Sequence, residues 1–122
     1  MRLIVGGKNQ GKRDYAAAAY GLTEADFARS LEEARTKKAL YAAHEVTAEL
    51  LRRGEDPQAA FRAVLAENPG LIVLCDELGC GVVPMEAFDR AWREAVGRLC
   101  CALAAEAESV ERVFCGLAMK LK

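Results

Sequence analysis

Apolar residues in this chain are concentrated in three short stretches, and between these stretches they recur mainly at helical spacing. These stretches are Arg2–Val5, Leu71–Cys75 and Val110–Cys115, and each is predicted to be a strand. Leu71–Cys75 is a continuous apolar run, which is typical of a parallel strand covered on both faces. Strands that alternate with helices predict a mainly parallel sheet flanked by helices. Three strands are few for such a sheet. Either another subunit covers an edge, or a further element is hidden in residues 21–38.

The segments between these three predicted strands carry sequence patterns that predict helices. A helix is expected over residues 12–20, because this stretch is rich in helix formers and Gly21 can end it. Thr23 is a candidate N-cap, and nothing from there to about Arg53 breaks a helix. This segment is therefore one helix, two helices, or partly irregular in its polar first half. Asp56-Pro57 begins another helix, as N-cap and first-turn proline.

The longest helix is expected from about Glu86 to Glu108, after Pro84. Its predicted inner stripe consists of Phe88, Ala91, Trp92, Ala95, Leu99 and Leu103. The last strand is followed by a short tail, Leu117–Lys122. The whole chain, residues 1–122, is the length of one domain.

Composition excludes several classes of protein. Hydrophobic residues make up 52% of the chain, charged residues 29%, and the formal net charge is −1, so we expect a globular protein without a basic surface for nucleic acid. No apolar run approaches the ~20 residues of a membrane span. The apolar start at Leu3–Val5 is too short for a signal-peptide core. A cytoplasmic location is the expectation, and the five cysteines, which form no C-x-x-C pair, are interpreted as reduced thiols.

A glycine-rich loop follows the first strand and resembles the phosphate-binding pattern G-x-x-x-x-G-K-[ST]. Such a loop offers backbone N–H groups and a helix N-terminus to an anion, and Lys12 would reach the terminal phosphates. Arg13 stands where the Mg²⁺-binding hydroxyl is expected, which argues against Mg²⁺. The alternative is a turn that only joins strand to helix. The candidate nucleotide-binding residues are Gly6, Gly7, Lys8, Asn9, Gln10, Gly11, Lys12 and Arg13.

A second loop follows the second strand and begins with Asp76 and Glu77. Ligands of open α/β sheets bind at this edge, so a carboxylate here could bind Mg²⁺, accept a proton from a hydroxyl, or simply cap backbone N–H groups. Cys80 lies between glycines and nothing in the sequence activates it as a nucleophile. His44, on a helix, is interpreted as a packing or surface residue. No residue is assigned to a metal.

Together these segments resemble a known family, the bifunctional cobinamide kinase/cobinamide-phosphate guanylyltransferases of cobalamin biosynthesis. The family's first loop reads G-G-x-x-S-G-K-S, its second reads N-E-V-G-x-G-I-V-P, and its chain ends in a strand followed by G-L-P-x-x-L-K. The matching segments here are residues 6–13, 76–84 and 113–122. The resemblance implies a trimmed P-loop NTPase-like fold with three layers.

The departures from the family bear on activity. Its members are longer, and the part absent here, between the first helix and about residue 40, carries the histidine that accepts the guanylyl group and the strand whose aspartate helps to hold Mg²⁺. His44 comes after this part, so the guanylylation role is not transferred to it.

The resemblance implies a protein that binds GTP or ATP. It would transfer a phosphoryl group to a cobinamide-type alcohol, with Lys12 stabilising the phosphates and Glu77, or else Asp76, orienting the hydroxyl or the metal. The alternative is a non-catalytic nucleotide-binding, corrinoid-binding or assembly protein. The resemblance also implies a homo-oligomer.

Overall fold

The computed structural model describes residues 1–79, 81 and 84–122. Cys80 and the Val82-Val83 part of the second motif lie outside the described residues, and so does the prediction made for Cys80. The described chain forms a mixed α/β fold with one six-stranded sheet. The predicted α/β class, with a mainly parallel sheet between helices, is confirmed.

The strands and helices follow one another along the chain in a mostly alternating order. The strands are β1 (Arg2–Gly6), β2 (Phe27–Ala28), β3 (Ala39–Leu40), β4 (Ile72–Asp76), β5 (Ser109–Phe114) and β6 (Leu117–Lys120). The α-helices are α1 (Lys12–Tyr20), α2 (Leu31–Ala34), α3 (Ala43–Arg52), α4 (Pro57–Glu67) and α5 (Ala87–Glu106). The sheet order is β2-β3-β4-β1-β5-β6, with β6 alone antiparallel to its neighbour.

Both faces of the sheet are covered at β1 and β4, which explains why these two strands are apolar at consecutive positions. Leu3 and Ile4 are consecutive in β1 and fully buried, but they belong to different core clusters. Leu3 packs in the cluster that contains Leu50 of α3 and Phe61 of α4, whereas Ile4 packs in the cluster that contains Ala16 of α1. Side chains alternate across a strand, so β1 must be apolar at both positions.

Three strands were predicted, whereas the described residues form six, so the predicted number was wrong. The segment suspected of hiding an element contains β2 and α2, and β3 follows it. The uninterrupted helix considered for residues 23–53 is also absent. Ser30 accepts a hydrogen bond from the Glu33 N–H and begins a separate short helix, and Ala42, with a φ of 61°, marks the start of α3.

The predicted tail is largely an edge strand, β6, which pairs with β5. Every residue of β6 is exposed. Large apolar side chains project to solvent from β6 and its surroundings: Phe114, Leu117, Met119 and Leu121. Within the described ranges, no helix is long and apolar enough to cross a membrane.

Candidate functional site

Lys12 stands at the junction of the glycine-rich loop and α1. Gly11 precedes the helix with a φ of 92°, and Asn9 has a φ of 60°, so two residues of the loop adopt the left-handed backbone conformation before the helix begins. Glycine adopts this conformation without a steric penalty. Gly6 is needed for a different reason, because a Cβ there would lie 2.5 Å from the carbonyl oxygen of Val113.

The Lys12 ammonium group is buried, although it carries a charge. The residue is 8% exposed, and its Nζ donates to the carbonyl oxygen of Gly7 at 2.9 Å and lies 2.6 Å from Oδ1 of Asp76. The β1–β4 register explains the second contact, since it places Gly6 directly opposite Asp76. A buried charge requires a partner of this kind.

His44 holds the other side of the same carboxylate. Its Nδ1 accepts a hydrogen bond from the Asp76 backbone N–H at 3.1 Å, and its Nε2 lies 3.4 Å from Oδ2 of Asp76. Because Nδ1 is the acceptor, the hydrogen-bond pattern assigns the proton of the neutral ring to Nε2. Burial lowers the pKa of His44, and the nearby Asp76 carboxylate opposes this effect.

Trp92 of α5 fixes the position of His44. Its indole Nε1 donates to the His44 carbonyl oxygen at 2.7 Å, and the two rings stack with their centroids 6.5 Å apart. The histidine interpreted from the sequence as a packing or surface residue therefore lies beside the predicted site. The sequence does not reveal this, because the distance between the first turn of α3 and the end of β4 is set by packing alone.

A cleft of about 390 Å³ opens beside these residues. It is lined by the second half of the glycine-rich loop, the start of α3, the end of β4 and Trp92. The lining residues are Lys8, Asn9, Gln10, Gly11, Lys12, Arg13, Asp14, Tyr41, Ala42, His44, Glu45, Leu74, Asp76, Leu78 and Trp92. Gly6 and Gly7, also predicted to bind nucleotide, form the base of the loop.

Arg13 lines the cleft, but its guanidinium makes contacts outside the loop. It forms an ion pair with Glu24, which lowers the pKa of that carboxyl, and it lies 4.8 Å from the ring centre of Phe27 and 5.5 Å from that of Tyr41. Among the described residues, the buried Nε of Arg13 has no hydrogen-bond partner. Arg13 thus links α1 to the start of β2 and to the residue that follows β3.

Glu77 occupies a different position from Asp76. Its carboxylate accepts two hydrogen bonds from Arg112 of β5, at 2.8 and 3.1 Å, and it does not line the cleft. Such a bidentate pair fixes both oxygens. The sequence interpretation preferred Glu77 over Asp76 as the residue that orients a hydroxyl, whereas the geometry favours Asp76.

The residues around Lys12 do not fit a Mg²⁺ ion. Arg13 has no lone pair to offer, and the two oxygens of Asp76 face Lys12 and His44. The strand that carries the family's aspartate was thought to be missing, but a strand, β3, is present at the end of that part of the chain. The residue that follows β3 is Tyr41 and not an aspartate. Mg²⁺ prefers carboxylate and phosphate oxygens. Across residues 1–79, 81 and 84–122, no group of three or more His, Cys, Asp or Glu side chains could hold a metal.

The glycine-rich loop is also hydrogen-bonded to the turn between β5 and β6. Gln10 accepts a hydrogen bond at its side-chain oxygen from the Cys115 N–H and another at its carbonyl oxygen from the Gly116 N–H, both at 2.8 Å. A Cβ on Gly11 would lie 3.2 Å from the Cα of Gly116. The sequence predicts the loop but not this attachment.

Comparison with known proteins decides the family. The model of the cobinamide kinase/cobinamide phosphate guanyltransferase family matches residues 37–121, which is well over half of the chain. The chain belongs to this family. The resemblance inferred from the motifs is confirmed, and the matched range contains β3 to β6, including His44 and Asp76. No curated protein matches the chain.

The family match starts after the glycine-rich loop, so it does not include Lys12. The assignment of the loop as a phosphate site therefore rests on its sequence and on the geometry described above. Likewise, the roles considered for Lys12, Asp76 and Glu77 stay predictions.

Proposed function

We propose that this member of the cobinamide kinase/guanylyltransferase family binds the phosphate groups of a nucleoside triphosphate, GTP or ATP, through its glycine-rich loop. The observation that carries the proposal is the buried Lys12 ammonium group at the start of α1, beside a cleft of about 390 Å³. Lys8 and Arg13 also line this cleft. A cation held at a helix N-terminus favours an anionic ligand.

Binding should depend little on Mg²⁺, because Arg13 replaces the hydroxyl ligand and the surrounding donor set does not suit the ion. In our proposal Arg13 contributes part of the charge neutralisation. Arg13→Ser is expected to weaken metal-free binding of GTP by about three- to tenfold, as one partly screened charge is lost, and to increase the effect of added Mg²⁺. Calorimetry with GTP, GDP, ATP and sulfate, with and without Mg²⁺, measures both effects. Strictly Mg²⁺-dependent binding by the wild-type protein would contradict this prediction.

Phosphoryl transfer to a cobinamide-type alcohol is the second candidate function, and the placement of Asp76 in the cleft favours it. The alcohol oxygen would form a bond to the γ-phosphorus while the bond to the β–γ bridging oxygen breaks. Asp76 would accept the hydroxyl proton, and Lys12 would stabilise charge on the phosphates. Formation of the nucleoside diphosphate and cobinamide phosphate, lost in Asp76→Asn, would establish this activity. Nucleotide binding without turnover would favour a non-catalytic nucleotide-binding or corrinoid-binding protein.

Guanylyl transfer should be absent. The lone pair of His44 Nδ1 accepts the Asp76 N–H, and Nε2 carries the proton, so neither ring nitrogen is available to attack the α-phosphorus of GTP. Incubation with α-labelled GTP should leave no acid-labile label on the protein. A label that appears on the wild type and disappears in His44→Gln would contradict this prediction.

Self-association is also proposed, through the exposed edge strand β6. Unpaired strand edges are usually covered, and Leu117 and Met119 on this strand are 73% and 47% exposed. Light scattering at micromolar concentration should give the mass of a dimer or trimer. Leu117→Lys should reduce that mass to the monomer, whereas Met85→Lys, at an even more exposed apolar position outside β6, should not. A monomeric wild type would refute this proposal.

A further inference from the structure

We infer that Lys12, Asp76 and His44 form a proton-linked exchange: an anion that takes Lys12 from Asp76 causes His44 to bind a proton. The inference rests on the proposed phosphate site and adds a positioning residue, His44, to it. The Asp76 carboxylate connects the other two side chains, because Lys12 lies at its Oδ1 and His44 at its Oδ2.

Without a ligand, the charges in this cluster are balanced. Lys12 and Asp76 form an ion pair 2.6 Å apart, and their side chains are only 9% and 14% exposed. His44 adds no net charge when neutral, and its ring is fixed by the Asp76 N–H at Nδ1 and by Trp92 above it. The carboxylate is therefore neutralised by Lys12.

A bound phosphate changes this balance because it competes with Asp76 for the same ammonium group. Asp76 is then left as a poorly solvated carboxylate whose remaining neighbour is His44. An uncompensated buried charge is costly, and protonation of His44 would restore a cation beside it. Protonation of Nδ1 breaks the hydrogen bond that this nitrogen accepts from the Asp76 N–H. A small rearrangement of the ring or the backbone therefore accompanies the uptake of the proton.

The other charged groups that face His44 do not account for its protonation in the complex. The loop contributes Lys8 and Lys12, which both disfavour the protonated ring, and β4 contributes Asp76. The histidine's own helix contributes Glu45, which favours protonation but is exposed. From α5 the ring meets the uncharged Trp92. When Lys12 moves toward a ligand, the charged group nearest to His44 is therefore the Asp76 carboxylate, which favours the protonated ring.

The direction of the pH dependence follows. In the free protein the pKa of His44 lies below its ordinary value, mainly because of burial, and the bound anion would raise it. Between these two pKa values the complex binds more protons than the free protein. Affinity for the anion therefore increases as pH falls through this range, by up to about tenfold per pH unit for one proton. The contribution of His44 to the affinity is constant above the higher pKa and below the lower one.

The chain contains a single histidine, so NMR titration of the imidazole resonances reports on His44 without ambiguity. Lys12→Met should raise the pKa of His44 even with no ligand present, because Asp76 loses its other cation. Lys38→Met removes the same charge from an exposed position and should leave the titration unchanged. If Lys12→Met does not fold, Lys12→Gln serves instead. An unchanged or lowered pKa in the Lys12 variant would overturn the inference.

Calorimetry with GTP in buffers of different ionisation enthalpy then counts protons taken up on binding. Wild-type protein should take up more protons than His44→Gln, by up to about one per GTP, and the comparison removes the protons bound by GTP itself. Binding with equal uptake in both proteins would refute the exchange while leaving the phosphate site intact. Absence of GTP binding would instead refute the proposed function, and the Lys12 titration would still decide the link between the three side chains.

Discussion

Gly6→Ala is expected to lower the free energy of unfolding by about 1–3 kcal/mol, the usual cost of forcing an extra methyl group into a packed site. The new Cβ would lie 2.5 Å from the carbonyl oxygen of Val113, and that oxygen belongs to the backbone of β5. A flexible side chain could move aside, but here β1 and β5 would have to separate. The same change should weaken nucleotide binding, since Gly6 begins the loop.

Gly7→Ala provides the matched control. A Cβ at that position would lie 3.4 Å from Cγ of Gln10, an ordinary contact with a side chain, so its effect on stability should stay within about 0.5 kcal/mol. Urea denaturation of the two variants and the wild type gives the comparison. Similar midpoints for Gly6→Ala and the wild type would show that the loop and β5 are not packed as described.

Lys12→Met should reduce the affinity for GTP by roughly 10- to 150-fold. This range corresponds to about 1.5–3 kcal/mol, the value of a hydrogen bond to a charged group. Methionine has a similar length and fills the space of the lysine stem, so the change removes the charge while keeping most of the packing. The contact of Nζ with the Gly7 carbonyl oxygen, at 2.9 Å, is lost as well.

Calorimetry measures the affinity, and a denaturation curve of the same variant shows whether the fold is intact. Lys38→Met removes an equal charge from a side chain that is 67% exposed, so it tests whether overall charge alone explains a loss. Equal affinity of Lys12→Met and the wild type would exclude Lys12 from the phosphate site. A comparable loss in Lys38→Met would point to a general electrostatic effect.

The elements predicted correctly are those with strong local signals. The continuous apolar run that forms β4 is visible in the sequence, and so are Gly21 after α1 and the Asp56-Pro57 start of α4. The strands β2 and β3 have two residues each, which is too short for either an apolar run or an alternating pattern. Their place in the sheet is determined by tertiary packing, which local propensity does not report.

The candidate site was predictable only in part, for the same reason. The glycine-rich loop and the carboxylates at residues 76 and 77 carry local signals, but the choice between them depends on which one Arg112 engages. That pairing joins β4's end to a strand much later in the chain. Similarly, an alanine does not predict the left-handed backbone conformation that Ala42 adopts. This conformation marks the start of α3, whose first turn places His44 beside Asp76.

The pairing of β1 with β4, which sets Gly6 opposite Asp76, has a consequence for folding kinetics. The two strands lie far apart in sequence, and contacts of this kind form slowly because a long loop must close first. The Lys12–Asp76 ion pair cannot exist until they are in register. During refolding, the quenching or recovery of Trp92 fluorescence would follow the packing of α5, whereas GTP binding would appear only in molecules whose central strands have already paired.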